Sequence, residues 1–168
     1  MKILFRPLTR LDLPDRVRWF SDPEVSMFLG DSVRNGTTLQ QQRKWFKKQK
    51  DSKGSSFFVI EVDKKPVGNI ALIEINKIDK NAGVFIVIGE KEYWGCGVSQ
   101  KALEYITKYG FRKLLLHKIW LQVYEPNIAA IKCYEKFGFE IEGEHTEMVR
   151  LDDEYFSEIF MGLVNPDD

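Results

Sequence analysis

The stretch Tyr93-Trp94-Gly95-Cys96-Gly97-Val98-Ser99-Gln100 sits between two segments of opposite periodicity. An apolar run, Val84-Phe85-Ile86-Val87-Ile88, leads into it, and a helix-period segment, Lys101 to Arg112, leads out. A buried strand must therefore turn sharply over two glycines and become a helix. Glycine lets the backbone turn, and it lets a ligand approach the main chain without a Cβ in the way. The first turn of the helix presents N–H groups with no internal partner, at the positive end of the helix dipole. Such a turn is suited to phosphate or another anion, although an ordinary strand-to-helix connection has the same local appearance.

The flanking chain fits one domain. Its 168 residues are enough to bury a substantial core, and 43% hydrophobic with 30% charged residues is ordinary for a globular protein. The 25 basic and 25 acidic side chains cancel, so no global field draws in nucleic acid or an anionic membrane. Cys96 and Cys133 form neither a disulfide framework nor a zinc-ligand spacing, and no metal is expected. No apolar run reaches the ~18 residues of a membrane span, and no signal peptide is evident, so the chain reads as cytoplasmic.

Taken in order, Ile3-Leu4-Phe5 predicts a strand stopped by Pro7, and Asp12 predicts the cap of a helix ending near Asp22-Pro23. Pro23 to Gly36 predicts a short helix or turn and then a loop. Thr38 with Gln41 forms a capping-box pattern ahead of a helix from Leu39 to about Gln49. The period then changes at Ser52–Ser55. Phe57–Val62, Val67–Ile75 and Ala82–Ile88 predict a three-stranded antiparallel meander. Lys118–Tyr124 alternates as a further strand, Asn127 predicts the cap of a helix to Phe137, and Gly138 its left-handed end. Phe139–Glu142 and Tyr155–Val164 complete an α/β (α+β) fold. Its mixed, mostly antiparallel sheet has about seven strands, flanked by about four helices. Exposed edge strands near the C-terminus suggest a homodimer.

Two motifs thirty residues apart, Tyr93 to Ser99 and Asn127 to Phe139, carry a resemblance to the GCN5-related N-acetyltransferase (GNAT) superfamily. Leu4–Leu8 and Ser21–Val25 resemble its ribosomal-protein and amino-sugar branch. The resemblance implies a single acetyltransferase domain over residues 1–168, acetyl-CoA as donor, and a small-molecule or peptide amine as acceptor. Trp94, Gly97 and Ser99 occupy the places of the family's pyrophosphate loop, with Trp94 and Ser99 as departures. By analogy, the main chain at Val87 and Ile88 holds the pantetheine, and N–H groups of Gly95, Cys96, Gly97, Val98, Ser99 and Gln100 hold the pyrophosphate. Asn127 matches a pantetheine contact, though it is also a plain cap. Lys136 is either a partner of the adenosine phosphates or a solvated lysine. Tyr134 matches a general acid, with core packing as its alternative.

The chemistry sets what the site must supply. A primary amine has a pKa of ~10, so about one molecule in a thousand is a free nucleophile at pH 7, worth ~4 kcal/mol of barrier. The site must deprotonate it, place it against the thioester, polarise the carbonyl and protonate the thiolate. Many relatives carry a Glu near the start of the strand before the loop, where this chain has Ala82-Gly83. Glu74 is the first substitute, with His117 or a water chain as others. Neither Cys has a His near it in sequence, so both read as packing residues. Acceptor choice is expected from Asp22–Gly36 and Glu144–Glu154, whose acids favour a cation. A protein N-terminus, a polyamine, an aminoglycoside and a nucleotide-linked amino sugar all remain open. So do a catalytically silent acyl-CoA-binding module and an unrelated nucleotide binder.

Overall fold

In the computed structural model, which describes residues 1–52 and 54–168, seven strands form one sheet in the order β1-β2-β3-β4-β5-β7-β6. They are β1 (Ile3–Pro7), β2 (Ser56–Val62), β3 (Lys65–Asn76), β4 (Asn81–Ile88), β5 (Lys118–Tyr124), β6 (Glu140–Leu151) and β7 (Glu154–Val164). Neighbours pair antiparallel, except β4 with β5. The meander is present as β2–β3–β4. Residue 53, within the expected Ser52–Ser55 break, lies outside the described residues.

Four helices have eight or more residues: α1 (Leu13–Phe20), α4 (Leu39–Ser52), α5 (Val98–Lys108) and α6 (Ile128–Phe137). Two single-turn helices follow α1: α2 (Pro23–Ser26) is the short helix or turn expected there, and α3 (Gly30–Arg34) stands where a loop was expected. The capping box of α4 is formed reciprocally: Gln41 N–H donates to Thr38 Oγ1 at 3.2 Å, and Thr38 N–H donates to Gln41 Oε1 at 2.7 Å. Asp12 does not cap α1. Its carboxylate turns back to accept from Thr9 N–H at 2.8 Å and from the Arg6 guanidinium, because an ion pair outbids a neutral cap.

Helices cover both faces. On one, Ala102, Leu103 and Ile106 of α5 bury against Ile70, Leu72, Ala82, Ile119 and Leu121. Each Leu or Ile so buried contributes about 1.5–3 kcal/mol. On the other, Trp19 and Phe20 of α1 pack on Val87 and Phe85. Residues of β4 alternate between these layers, Val84, Ile86 and Ile88 toward α5, Phe85 and Val87 toward α1. Arg16 ties α1 to α4 and β3: its buried guanidinium donates to Gln42 Oε1 at 2.9 Å and Asn69 Oδ1 at 2.8 Å, with the Trp45 ring 4.0 Å away. The last hairpin is longer than expected, since β6 continues from Glu140 to Leu151.

Candidate active site

The parallel pairing of β4 and β5 covers only Asn81–Gly83 against Lys118–Trp120. Beyond it the two strands part, and the opening between them is a cavity of about 940 Å³. Parting leaves one edge of β4 without a ladder partner, so its backbone groups are available to a ligand. The pleat decides which groups those are. Val87 lies opposite Asn69 in the β3–β4 register, with its carbonyl oxygen against Gly68. The expectation that Val87 offers its main chain to a ligand is thereby corrected: its polar groups face β3. Ile86 and Ile88, one step along the pleat, face the opening. The carbonyl of Ile88 already accepts from the indole Nε1–H of Trp94 at 2.8 Å, which moors the glycine loop to the end of β4.

Both loop glycines are left-handed, Gly95 at φ 72° and Gly97 at φ 79°, and Gly97 immediately precedes α5. The first bond onto the helix runs from Lys101 N–H to Gly97 O at 3.2 Å. The N–H groups of Val98, Ser99 and Gln100 therefore lie ahead of it, and these three residues, with Gly95 and Gly97, line the cavity. Cys96 does not. Its N–H is taken by Tyr93 O at 3.3 Å and its thiol turns to Trp94 O at 3.6 Å, so the tight turn consumes the donor expected to meet an anion. The Gln100 side chain has a use that the motif did not suggest: its Nε2 donates to Cys133 O at 2.7 Å and joins α5 to α6.

Across the opening, Asn127 Oδ1 accepts from Ala130 N–H at 3.3 Å and caps α6 as expected. That leaves its Nδ2 as the group to face the cavity that Asn127 lines. Cys133, Tyr134 and Lys136 line the same wall. Burial pushes the Tyr134 hydroxyl far above the usual phenol range, with Cys133 adding to the effect, so it keeps its proton as a donor. Its ring packs edge-on against Phe139 with centroids 5.9 Å apart. Burial also raises the Cys133 thiol, against a hydrogen bond from Gln100, and a protonated thiol is a poor nucleophile.

Glu74 falls outside the cavity. It is exposed, at φ 51°, within an irregularity of the β3–β4 register between Ile73 and Asn76. His117 is exposed too, its Nδ1 2.7 Å from Asp168. Gly83 leaves little room for any side chain, because Trp120 and Ile73 fill the space beside it. Most of the expected acceptor-side acids are already engaged. Asp22 and Glu24 hold Lys91 at 2.9 and 2.8 Å, Asp31 pairs with Arg34, Asp153 with Arg150, and Glu144 accepts from Ser157. Of the acids in those two stretches, Glu24 lines the cavity. Trp19 is buried in the core and Trp45 is half-buried against Phe57 and Arg16, whereas Phe28 lines the cavity. Trp120, Gln122, Tyr124 and Glu158 also line it and were missed, although the alternation of β5 had already set the first three on one face.

Among the described residues, no helix is long and apolar enough to cross a membrane, and no group of three or more His, Cys, Asp or Glu could hold a metal ion. The chain is 32% identical to the spermidine N(1)-acetyltransferase of Escherichia coli (strain K12) over 144 residues, 85% of this chain and 70% of that protein. It is 34% identical to the Vibrio cholerae spermidine N(1)-acetyltransferase over 105 residues, 62% of this chain and 60% of the relative. The fold matches the crystal structure of the Vibrio cholerae spermidine N-acetyltransferase in complex with CoA and spermine with a TM-score of 0.89, at 26% identity over 96% of this chain and 95% of that one. The ribosomal-protein or amino-sugar branch has no counterpart among these relatives. The model of the acetyltransferase (GNAT) domain matches residues 2–140, and with the divided sheet and the glycine loop at the start of α5 the chain belongs to that family, as an acetyl-CoA-dependent N-acetyltransferase.

Proposed function

We propose that the enzyme acetylates a primary amine of a polyamine by direct attack on the thioester of acetyl-CoA. The observation that carries this reading is the make-up of the cavity lining. The glycine loop and the start of α5 contribute to it, and so do Phe28, Leu29, Val33, Phe85 and Trp120, with the carboxylates of Glu158 and of Glu24, the latter held by Lys91. Methylene segments separated by ammonium groups complement apolar walls interrupted by acids. The spermidine acetyltransferase relatives point the same way.

In this reading the N–H groups of Val98, Ser99 and Gln100, with those of Gly95 and Gly97, receive the pyrophosphate. The β4 edge at Ile86 and Ile88 and the Nδ2 of Asn127 take the pantetheine, and Lys136 reaches toward the adenosine phosphates. Nitrogen attacks the carbonyl carbon as the C–S bond breaks, and Tyr134 gives its proton to the departing sulfur. Starting from the ammonium form, nitrogen loses two protons and the cycle releases one to solvent. We propose further that the enzyme assembles through the outer edge of β6, where Ile141 and Met148 are exposed.

Steady-state thiol release over a panel of spermidine, spermine, an aminoglycoside, a peptide N-terminus and a nucleotide-linked amino sugar tests the acceptor. The expected result is a kcat/KM for the polyamines at least about tenfold above the rest. Preference for the sugar or the peptide would overturn the reading.

A further inference from the structure

Glu158 differs from the other carboxylates near the cavity. Glu24 is largely exposed and its Oε1 is held by Lys91, and Asp31 is exposed and paired with Arg34 at 2.7 Å. Glu158 is half-buried on β7, lines the cavity, and has no cation partner among the described residues. Its cross-strand neighbours are Tyr124 on β5 and His145 on β6, and residues opposite each other share a sheet face. From α3, Gly30 approaches the same place: a Cβ on it would lie 3.9 Å from the Tyr124 hydroxyl. Asp31 and Arg34 are the charged groups that α3 brings to Tyr124, and they largely satisfy each other.

A carboxylate between apolar walls, short of both water and a counter-charge, attracts a cationic group more strongly than the same carboxylate on the surface. Its position decides which cation. The acetyl group belongs where β4 and β5 part, and Glu158 sits on the next strand beyond β5, about 4.8 Å further across the sheet. The nitrogen that attacks must be neutral, whereas a second amine, three or four carbons along, stays charged. We infer that Glu158 is the specificity-determining residue that receives the second ammonium group of the acceptor, and so selects amines carrying two or more positive charges. The inference rests on the polyamine reading.

The test uses the intact enzyme with Glu158→Gln and Glu158→Asp. Spermidine and n-butylamine are the acceptors, and acetyl-CoA affinity is read by calorimetry. Glu158→Gln should raise KM for spermidine about 10–100-fold, with kcat within about twofold and acetyl-CoA binding unchanged. KM for butylamine should not move, and Glu158→Asp, which keeps the charge but withdraws it by one methylene, should fall between. The inference is overturned by an unchanged spermidine KM, by a loss confined to kcat, or by an equal loss for butylamine. Wild-type turnover separates the two readings. An enzyme that acetylates no polyamine refutes the polyamine reading itself, whereas good spermidine turnover with an indifferent Glu158→Gln refutes only the role of Glu158. Should Glu158→Gln fail to fold, as altered acetyl-CoA binding would reveal, Glu158→Asp alone must still raise the spermidine KM.

Discussion

A Cβ on Gly83 would lie 2.9 Å from Cη2 of Trp120 and 3.1 Å from Cγ1 of Ile73. The Trp120 ring is fixed there by the register of the one parallel pair and by its Nε1–H, which donates to Asn81 Oδ1 at 3.3 Å. The space beside the glycine is thus filled by an indole. Gly83→Ala should therefore cost about 1–3 kcal/mol, seen as a Tm lower by about 3–10 °C. Trimming the ring in the double variant Gly83→Ala/Trp120→Leu should recover part of the loss, with a coupling of at least about 0.5 kcal/mol. Strict additivity would mean that the two positions do not compete for one space.

Gly97 poses the opposite problem. A Cβ there meets nothing within 4 Å, so only the φ of 79° restricts the residue in the free protein. Valine at that φ should cost about 1–2 kcal/mol or more, whereas asparagine tolerates it well. Both place a side chain where the proposed phosphate site needs a bare backbone. Each charge-assisted hydrogen bond to an N–H that is lost is worth about 1.5–3 kcal/mol, so both variants should bind acetyl-CoA about 10–100-fold more weakly. Calorimetry beside thermal unfolding reads the two effects separately. Normal affinity in Gly97→Asn with weak affinity in Gly97→Val would assign the effect to strain and remove the phosphate-loop role.

The sheet and the loop were legible because their signals are local. Apolar runs bounded by turns mark the meander, Thr38 with Gln41 marks the start of α4, and Gly138, at φ 116°, closes α6 as its place in the sequence suggests. What depended on register was not legible. Glu74 lies in a run that reads as a regular strand, but the irregularity between Ile73 and Asn76 resets which face each side chain takes. Likewise Val87 and Ile88 look equivalent in sequence, and only the pairing with β3 shows which one turns its backbone to the opening. Glu158 was hidden for a third reason: that it lines the cavity with no salt bridge to hold it, among the described residues, is a fact of the fold that no pattern along the chain reveals.

Tyr134 supplies the next prediction. Its hydroxyl is held protonated by burial, so it is a donor across the whole working pH range. Tyr134→Phe removes the proton and leaves the ring packing on Phe139, and kcat should fall about 10²–10⁴-fold while the acetyl-CoA Kd stays within about twofold. The wild-type profile of kcat against pH should show no decline from loss of this proton below about pH 10. Full activity in Tyr134→Phe would assign the leaving-group proton to another donor.

Stability in acid should turn on Glu90, at the end of β4. The Trp19 ring packs over Gly89 so closely that a Cβ there would overlap it, and the same indole donates from Nε1 to Glu90 Oε1 at 2.8 Å. Burial favours the neutral acid. Hydrogen bonds from Arg18, Trp19 and Lys65 outweigh it and bring the carboxyl down to about 2 from an ordinary 4.5. Above pH 4.5 the group is ionised whether the chain is folded or not, and its contribution is fully present. Between 4.5 and 2 the unfolded chain takes up a proton that the folded one refuses, so stability drains away as pH falls. With Arg18 and Lys65 partly in solvent, that contribution is on the order of 2 kcal/mol. Glu90→Gln should thus be destabilised by about that amount at pH 7, with a flatter dependence on pH below 4.5 and a gap to wild type that closes near pH 2. Urea midpoints from pH 7 to 2 measure this directly. Curves that stay parallel throughout would show that the acid sensitivity resides in other carboxylates.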